Sequence, residues 1–207
     1  NAVTITVQPQ LVAGTAAANQ TICYNSVPAL LTATAPVGGN GTYTYQWEVS
    51  TDAGATWAPI AGANALTYQP GALTATTMYH LIQTSGAGCG SITTNAVTIT
   101  VQPQLVAGTA AADQVICYNS APALLTATAP VGGNGTYTYQ WEVSTDGGAT
   151  WAPIIGANAL TYQPGALTAT TMYHLIQTSG AGCGSATTNA VTITVQPQLV
   201  TSPIYHN

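Results

Sequence analysis

The fold is decided by the stretch Tyr43-Thr44-Tyr45-Gln46-Trp47-Glu48-Val49-Ser50, in which large apolar side chains alternate with polar ones. A period of two residues is the pattern of a β-strand with one buried face. Residues 51–56 then supply turn-forming residues, and residues 57–60 begin a return strand. The stretch therefore predicts a strand, named C, and a hairpin to a second strand, C′.

Further short runs on both sides of this hairpin predict an all-β domain. Runs of β-branched or alternating residues, bounded by Gly, Pro and Asn, predict strand B at 30–35, strand E at 66–69, strand F at 77–84 and strand G at 95–101. In strand G the side chains of Val97, Ile99 and Val101 are expected to face inward. Short strands at this spacing indicate an antiparallel sandwich.

Two aromatic residues favour the immunoglobulin type of sandwich. Trp47 lies where such domains bury a tryptophan on strand C, and Tyr79 begins strand F after a leucine-led turn, as in a tyrosine corner. The second copy of the pattern has Trp141 and Tyr173 at these positions. We expect these four residues to be structural core.

The whole pattern occurs twice. Residues 1–7 recur at Asn95 and at Asn189, which gives a period of 94 residues (95 − 1 and 189 − 95). A unit of this length is one Ig-like domain rather than a solenoid repeat. We expect a strand copy at 1–7 that belongs to a preceding repeat or a neighbour, repeat 1 at 8–101, repeat 2 at 102–195, and a tail or next repeat at 196–207.

The charge composition excludes two classes of partner. The chain has no Lys or Arg and a formal net charge of −5. Binding to nucleic-acid phosphates or to anionic lipid requires cationic side chains. No apolar run reaches the length of a membrane span. We therefore expect neither nucleic-acid binding nor membrane insertion.

The cysteines Cys23, Cys89, Cys117 and Cys183 occupy one equivalent pair of positions per repeat. Four cysteines allow three pairings. Pairing within a repeat lets every copy close independently of the number of repeats, so we expect Cys23 with Cys89 and Cys117 with Cys183. The alternative is buried free thiols in a reducing compartment. Disulfides persist outside the cytosol, so the pairing predicts an extracellular or cell-surface protein.

Six short motifs of the first repeat belong together. They are Tyr43-Thr44-Tyr45-Gln46-Trp47, Ser50-Thr51-Asp52, Leu66-Thr67-Tyr68, Leu73-Thr74-Ala75-Thr76-Thr77, Cys89-Gly90 and Thr94-Asn95-Ala96-Val97-Thr98. These motifs resemble Ig-like or PKD-like repeats, which are arrayed in tandem in large secreted surface proteins of Bacteroidota, including gliding and adhesin-type proteins. The resemblance covers nearly the whole chain and implies a stalk or fibre.

No pattern of catalytic residues is present. The sequence has no Gly-x-Ser-x-Gly, no phosphate-binding loop and no paired acid-base carboxylates. His80 is expected to point toward Glu48 on strand C, but one His and one Glu fall short of a zinc site. Asp52 is expected to cap its turn rather than to bind calcium. We expect no enzyme activity, no metal and no cofactor.

Two function classes remain open. Sheet edges are normally protected by charged residues, above all Lys, and this chain has few charges. With the surplus strand copy at 1–7, this predicts self-association into a fibre or a longer repeat array, as a structural protein of a surface filament or adhesin stalk. The alternative is a carbohydrate-binding module for surface polysaccharide, with Trp57 and Trp151 as stacking platforms.

Overall fold

The computed structural model describes residues 1–198, which form two compact units that divide after Gln102. In this part of the chain each unit has eight strands and no helix. The first unit contains β1 (Gln20–Ile22), β2 (Leu31–Thr32), β3 (Tyr43–Ser50), β4 (Ala58–Pro59), β5 (Thr67–Tyr68), β6 (Thr77–Ser85), β7 (Ser91–Thr93) and β8 (Val97–Val101). The second contains β9 (Gln114–Ile116), β10 (Leu125–Thr126), β11 (Tyr137–Ser144), β12 (Ala152–Pro153), β13 (Thr161–Tyr162), β14 (Thr171–Ser179), β15 (Ser185–Thr187) and β16 (Val191–Val195).

Each unit is a sandwich of one large and one small sheet. In the first unit the large sheet has the order β1-β8-β6-β3-β4, with β7 also paired to β6, and the small sheet pairs β2 with β5. All of these pairs are antiparallel except β1 with β8, and the second unit repeats the same order. Two tandem immunoglobulin-like antiparallel sandwiches, the predicted fold class, are thereby confirmed.

Strands B and E are shorter than the sequence predicts. The predicted runs 30–35 and 66–69 contain only the two-residue strands β2 and β5. The reason is that strand B changes partner: its Ala33 N–H donates to the Leu66 carbonyl, whereas its Thr34 N–H donates to the Thr15 carbonyl. The first segment of the domain therefore completes the small sheet.

That first segment also crosses between the two sheets and defines two ends of the domain. Val12 and Ala16 form isolated bridges to Val37 and Ala33, which follow β2 of the small sheet, whereas β1 pairs in parallel with β8 of the large sheet. At what we call the leading end, the Gly39 N–H donates to the Pro9 carbonyl at 2.8 Å. At the trailing end, the Gln102 N–H donates to the Ile22 carbonyl at 2.8 Å.

The core is aromatic and lies between the sheets. Trp47 is fully buried, and its indole N–H donates to the Ala65 carbonyl at 3.0 Å. Tyr79 is also buried, and Tyr68 lies between the two rings, at centroid distances of 6.4 Å from Trp47 and 5.9 Å from Tyr79. Trp141 and Tyr173 are buried in the same way in the second unit. Each repeat therefore has its own core.

One buried polar residue links β6 of the large sheet to the strands opposite, and it is not among the residues predicted from the sequence. Gln83 on β6 is fully buried, its Oε1 accepts from the Gly14 N–H at 2.8 Å, and its Nε2 donates to the Thr34 carbonyl at 2.7 Å. A buried amide with these partners is satisfied and stabilising. The signal was available, because Gln83 continues the inward series Tyr79, Leu81 at a spacing of two.

The six differences between the repeats are compatible with one fold. Asn19 and Asp113 each accept a hydrogen bond through Oδ1, from Thr98 N–H and from Thr192 N–H. Ala53 has a φ of 59° and its counterpart Gly147 a φ of 74°, a region that glycine adopts readily. The remaining pairs are Thr21/Val115, Val27/Ala121, Ala61/Ile155 and Ile92/Ala186, and all of these residues are exposed or partly exposed.

Residues 1–7 repeat the sequence of strand β8 without forming a strand. In the described part of the chain they carry no assigned secondary structure. Val3, Ile5 and Val7 are 86, 85 and 85% exposed. The predicted tail 196–207 lies outside the described residues from residue 199 onward.

Candidate functional sites

A stacked indole, imidazole and carboxylate form the most organised polar cluster on the large sheet. Glu48 on β3 and His80 on β6 are directly opposite in the strand register, and the His80 Nε2 lies 2.9 Å from the Glu48 Oε2. Trp57, just before β4, stacks on the His80 ring at a centroid distance of 3.7 Å and an interplanar angle of 17°. The predicted contact between His80 and Glu48 is therefore present. His174, Glu142 and Trp151 form the same cluster.

This cluster fits a packed hairpin better than an open sugar platform. One face of Trp57 is occupied by the imidazole, and the indole N–H donates to the Gly54 carbonyl at 3.1 Å. The Trp57 and Trp151 side chains are partly exposed, which leaves some aromatic surface in solvent. Glycan binding at Trp57 and Trp151 stays a prediction.

The turn before Trp57 is organised by one carboxylate. Asp52 accepts hydrogen bonds from the Thr56 hydroxyl, the Thr56 N–H and the Ser50 hydroxyl. These bonds, the Thr56 hydroxyl foremost, lower the pKa of the Asp52 carboxyl to about 2. Thr150 and Ser144 likewise lower the pKa of Asp146. Both aspartates cap their turns, as predicted.

The cysteines depart from the predicted pairing. Within residues 1–198, Cys89 and Cys117 carry free thiols, whereas Cys23 and Cys183 are disulfide-bonded. The predicted bonds of Cys23 with Cys89 and of Cys117 with Cys183 are therefore wrong. The expectation that cysteines of this chain form disulfide bonds is confirmed for Cys23 and Cys183.

The reason for the error is the position of the two cysteines within one sandwich. Cys23 follows β1 at the trailing end, where Ile22 is opposite Val101. Cys89 lies beyond β6 at the leading end, in the turn to β7. The nine-residue strand β6 separates the two ends, and at the usual rise per residue it is about 26 Å long. A disulfide needs Cα atoms within about 7 Å, so the two cysteines of one repeat cannot meet.

Other sites are not assembled in the described residues. Within residues 1–198 no group of three or more His, Cys, Asp or Glu side chains is clustered for a metal ion. The same residues contain no helix, and therefore no helical segment with the length and apolarity needed to cross a membrane. The candidate features are therefore the stacked cluster, the cysteines at the domain ends and the exposed segment 1–7.

The fold and these features define a tandem repeat protein of immunoglobulin-like domains. The chain belongs to the family described as "Domain of unknown function (DUF8696)", whose model matches residues 12–103 and 106–197. The two matches coincide with the two sandwiches. A comparison with curated proteins gave no match.

Several solved structures are similar. One is "Drosophila OTK, extracellular domains 3-5", with 14% identity, a TM-score of 0.46, and coverage of 91% of this chain and 62% of that one. Another is "Crystal Structure of Rst D1-D2", with 13% identity, a TM-score of 0.44, and coverage of 90% and 100%. The N-terminal Ig1-2 module of the Drosophila receptor tyrosine phosphatase DLAR has 15% identity, a TM-score of 0.34, and coverage of 91% and 98%.

Proposed function

We propose that this chain is a structural repeat segment of an extracellular bacterial surface filament or adhesin stalk, which assembles end to end or laterally. The observation that carries the proposal is the exposed copy of strand β8 at residues 1–7. A role of this kind needs no catalysis and no cofactor. The resemblance to tandem surface repeats of Bacteroidota supports it, and the disulfide-bonded Cys23 and Cys183 support an extracellular location.

The exposed segment has the side chains of a core strand. Val97 and Ile99 on β8 are 0% exposed, whereas their counterparts Val3 and Ile5 are more than four-fifths exposed. β-branched side chains of this kind are favoured in strands that pack on a core. Burying them on a sheet of another repeat removes apolar surface from water and gives the backbone its hydrogen bonds. We infer that residues 1–7 form a strand in a repeat outside these two.

The open sheet edges lack the usual protection. The large sheet ends at β4, whose two residues Ala58 and Pro59 are exposed, and at β1. Natural edge strands are guarded by Lys or other charges, and this chain has no Lys or Arg at all. The surface therefore does little to oppose strand addition.

A carbohydrate-binding module is the second candidate, supported by the partly exposed Trp57 and Trp151. The imidazole that covers one face of each indole is an observation against it. Titration with polysaccharides tests this candidate by tryptophan fluorescence, with Trp57→Ala and Trp151→Ala as controls. A saturable signal that these substitutions abolish supports sugar binding.

Hydrogen exchange tests the filament proposal, because residues 1–7 and 95–101 have the same sequence and serve as probe and reference. We expect residues 95–101 to be protected at every protein concentration. Protection of residues 1–7 should rise with concentration, in step with the oligomers seen by sedimentation velocity. Deletion of residues 1–7 should reduce association without changing the stability of the repeats.

The opposite result is a monodisperse monomer at high concentration whose association and stability are unchanged by the deletion. Residues 1–7 could also pair with a preceding repeat of the same polypeptide, so the chain is compared with a variant that has a further repeat fused before Asn1. Residues 1–7 should become protected in that variant even as a monomer. If they exchange freely in both proteins, the proposal is wrong.

A further inference from the structure

We propose that Cys117 forms a disulfide bond with Cys89 of a second copy of this chain, which joins copies covalently from the trailing end of one to the leading end of the next. This inference rests on the proposed function, because it requires copies that meet end to end. It adds the chemistry of the junction, and it assigns a role to the two free thiols.

The leading-end position is occupied by Cys89. The Ser85 N–H, at the end of β6, donates to the Gly90 carbonyl at 2.9 Å, and the Cys89 N–H donates to the Gly86 carbonyl at 3.2 Å. This turn therefore lies directly beyond β6. Gly39, which binds the Pro9 carbonyl, approaches Ser85 so closely that a Cβ atom would clash with its hydroxyl. Cys89 thus lies at the end where the chain enters the domain.

The trailing-end position is occupied by Cys117. It follows β9, whose Ile116 is opposite Val195 of β16, and the Gln196 N–H donates to the Ile116 carbonyl at 2.8 Å. Cys117 therefore lies where the chain leaves the second domain. Its side chain is exposed, and that of Cys89 is partly exposed. Both thiols are accessible to another copy.

The oxidation state of the equivalent residues is the second, independent observation. Cys23 is the trailing-end cysteine of the first repeat and Cys183 is the leading-end cysteine of the second, and both are disulfide-bonded. A cysteine at the trailing-end position and a cysteine at the leading-end position are thus each able to form a disulfide. The two that remain free are one of each kind, at the leading end of the first repeat and the trailing end of the second. Since both Cys89 and Cys117 are free within the single chain, the complementary partner of each is supplied by another copy.

Bond formation requires an oxidant, for which a small-molecule disulfide such as oxidised glutathione is sufficient. The Cys117 thiolate attacks one sulfur of that disulfide, forms a mixed disulfide and releases one glutathione thiol. The Cys89 thiolate of the second copy then attacks the Cys117 sulfur and releases the second glutathione. Two protein thiols are oxidised, and one small disulfide is reduced to two thiols.

The test incubates the full chain in a buffer of oxidised and reduced glutathione and separates the products by non-reducing electrophoresis. We expect a ladder of oligomers that a reducing agent collapses to the monomer. Cys89→Ser and Cys117→Ser should each abolish the ladder when incubated alone. A mixture of the two variants should form one linked dimer, in which chymotryptic mapping joins Cys117 of one chain to Cys89 of the other.

Three results overturn the inference: no linked oligomer, a Cys117 to Cys117 dimer of the Cys89→Ser variant that forms as readily as the mixed dimer, or a bond between Cys89 and Cys117 within one chain. The double variant Cys89→Ser/Cys117→Ser separates this inference from the proposed function. If it still associates through residues 1–7 as the unsubstituted chain does, while no ladder forms in the unsubstituted chain, the filament proposal stands and the disulfide junction is wrong.

Discussion

Residues 1–7 and residues 95–101 have the same sequence and different structures. In the second segment Val97 is opposite Tyr79, Ile99 is opposite Thr77, and both side chains are fully buried. In the first segment the corresponding Val3 and Ile5 are exposed and no strand is assigned. Intrinsic β-propensity is the same in both, so it cannot be what forms the strand.

The difference lies in the neighbours. β8 has β6 on one side and β1 on the other, and its apolar face packs on the core with Trp47. Asn95 adds a side-chain hydrogen bond, because its Oδ1 accepts from the Ala16 N–H at 2.8 Å. A strand of this sequence therefore forms where partners complete its hydrogen bonds and cover one face. Two of the following predictions use a residue of the segment 95–101 with its counterpart in residues 1–7 as a matched control.

The largest expected effect comes from the core side chain Ile99. Ile99→Ala should lower the free energy of unfolding of the first repeat by about 2–5 kcal/mol, because it removes buried methyl groups and leaves a cavity. Ile5→Ala should leave it unchanged within experimental error. Chemical denaturation of both variants measures the difference. Equal effects of the two substitutions would show that residues 1–7 are packed in the isolated chain.

Alkaline pH should lower the stability of each repeat through Tyr79, which lies on β6 opposite Val97 of β8. Burial, and secondarily the neighbouring Tyr68, raises the pKa of Tyr79 to about 12. Ionisation is thus disfavoured in the folded state, so the stabilisation is complete below about pH 10 and is lost as the pH rises toward 12. The loss should reach roughly 2 kcal/mol per repeat, at about 1.4 kcal/mol for each pKa unit.

Unfolding free energies between pH 8 and 12 measure this loss, and Tyr79→Phe together with Tyr173→Phe should reduce it. An unchanged pH dependence in that double variant contradicts the prediction. Residues 1–7 contain no side chain that ionises in this range, so exposure of this segment to proteolysis should not follow the transition.

The third prediction concerns the asparagine that begins each copy. Asn95→Ala removes the acceptor of the Ala16 N–H and should destabilise the first repeat by about 1 kcal/mol. Asn1→Ala should have no effect. Thermal unfolding of the two variants in parallel measures both effects. A loss of stability as large for Asn1→Ala as for Asn95→Ala would show that the two segments are held in the same way.

The smallest effect is expected at the turn that Asp52 caps. The pKa of Asp52, lowered to about 2, means that its contribution is present above about pH 4 and is lost as the pH falls toward 2. Asp52→Asn should therefore lower stability slightly at pH 7 and should weaken the acid dependence. Unfolding curves at pH 7 and pH 2.5 measure both. A variant whose stability equals that of the parent at pH 7 but still falls as steeply in acid contradicts this account.

Parts of this architecture are predictable because they have long periodic strands. β6 is nine residues long and alternates buried with partly exposed side chains, and β3 is eight residues long with the large apolar residues at every second position of its sequence. Trp47 and Tyr79 could therefore be assigned to the core. β2 and β5 are two residues each, and strand B continues beyond β2 through hydrogen bonds to the segment around Thr15, which no sequence periodicity indicates. The contact of His80 with Glu48 followed from the register of two adjacent strands.

The cysteine pairing was not predictable in this way. Equal spacing in two repeats says that Cys23 and Cys117 are equivalent, but it does not say at which end of a sandwich each one lies. That depends on the first segment, which bridges at Val12 to Val37, beyond β2, and then runs to the trailing end as β1 beside β8. The distance between the cysteines is a consequence of this path.

The sequence by itself determined the repeat, the β-class and the inward side chains, because these are local properties of alternation and of turn residues. The tertiary structure decided which of two identical segments becomes a strand and which cysteines can meet. The physical reason is that a strand needs partners for its backbone groups and one apolar face, and a disulfide needs two Cα atoms within a few ångströms. Both conditions join residues far apart in the chain, so only the folded arrangement satisfies or excludes them.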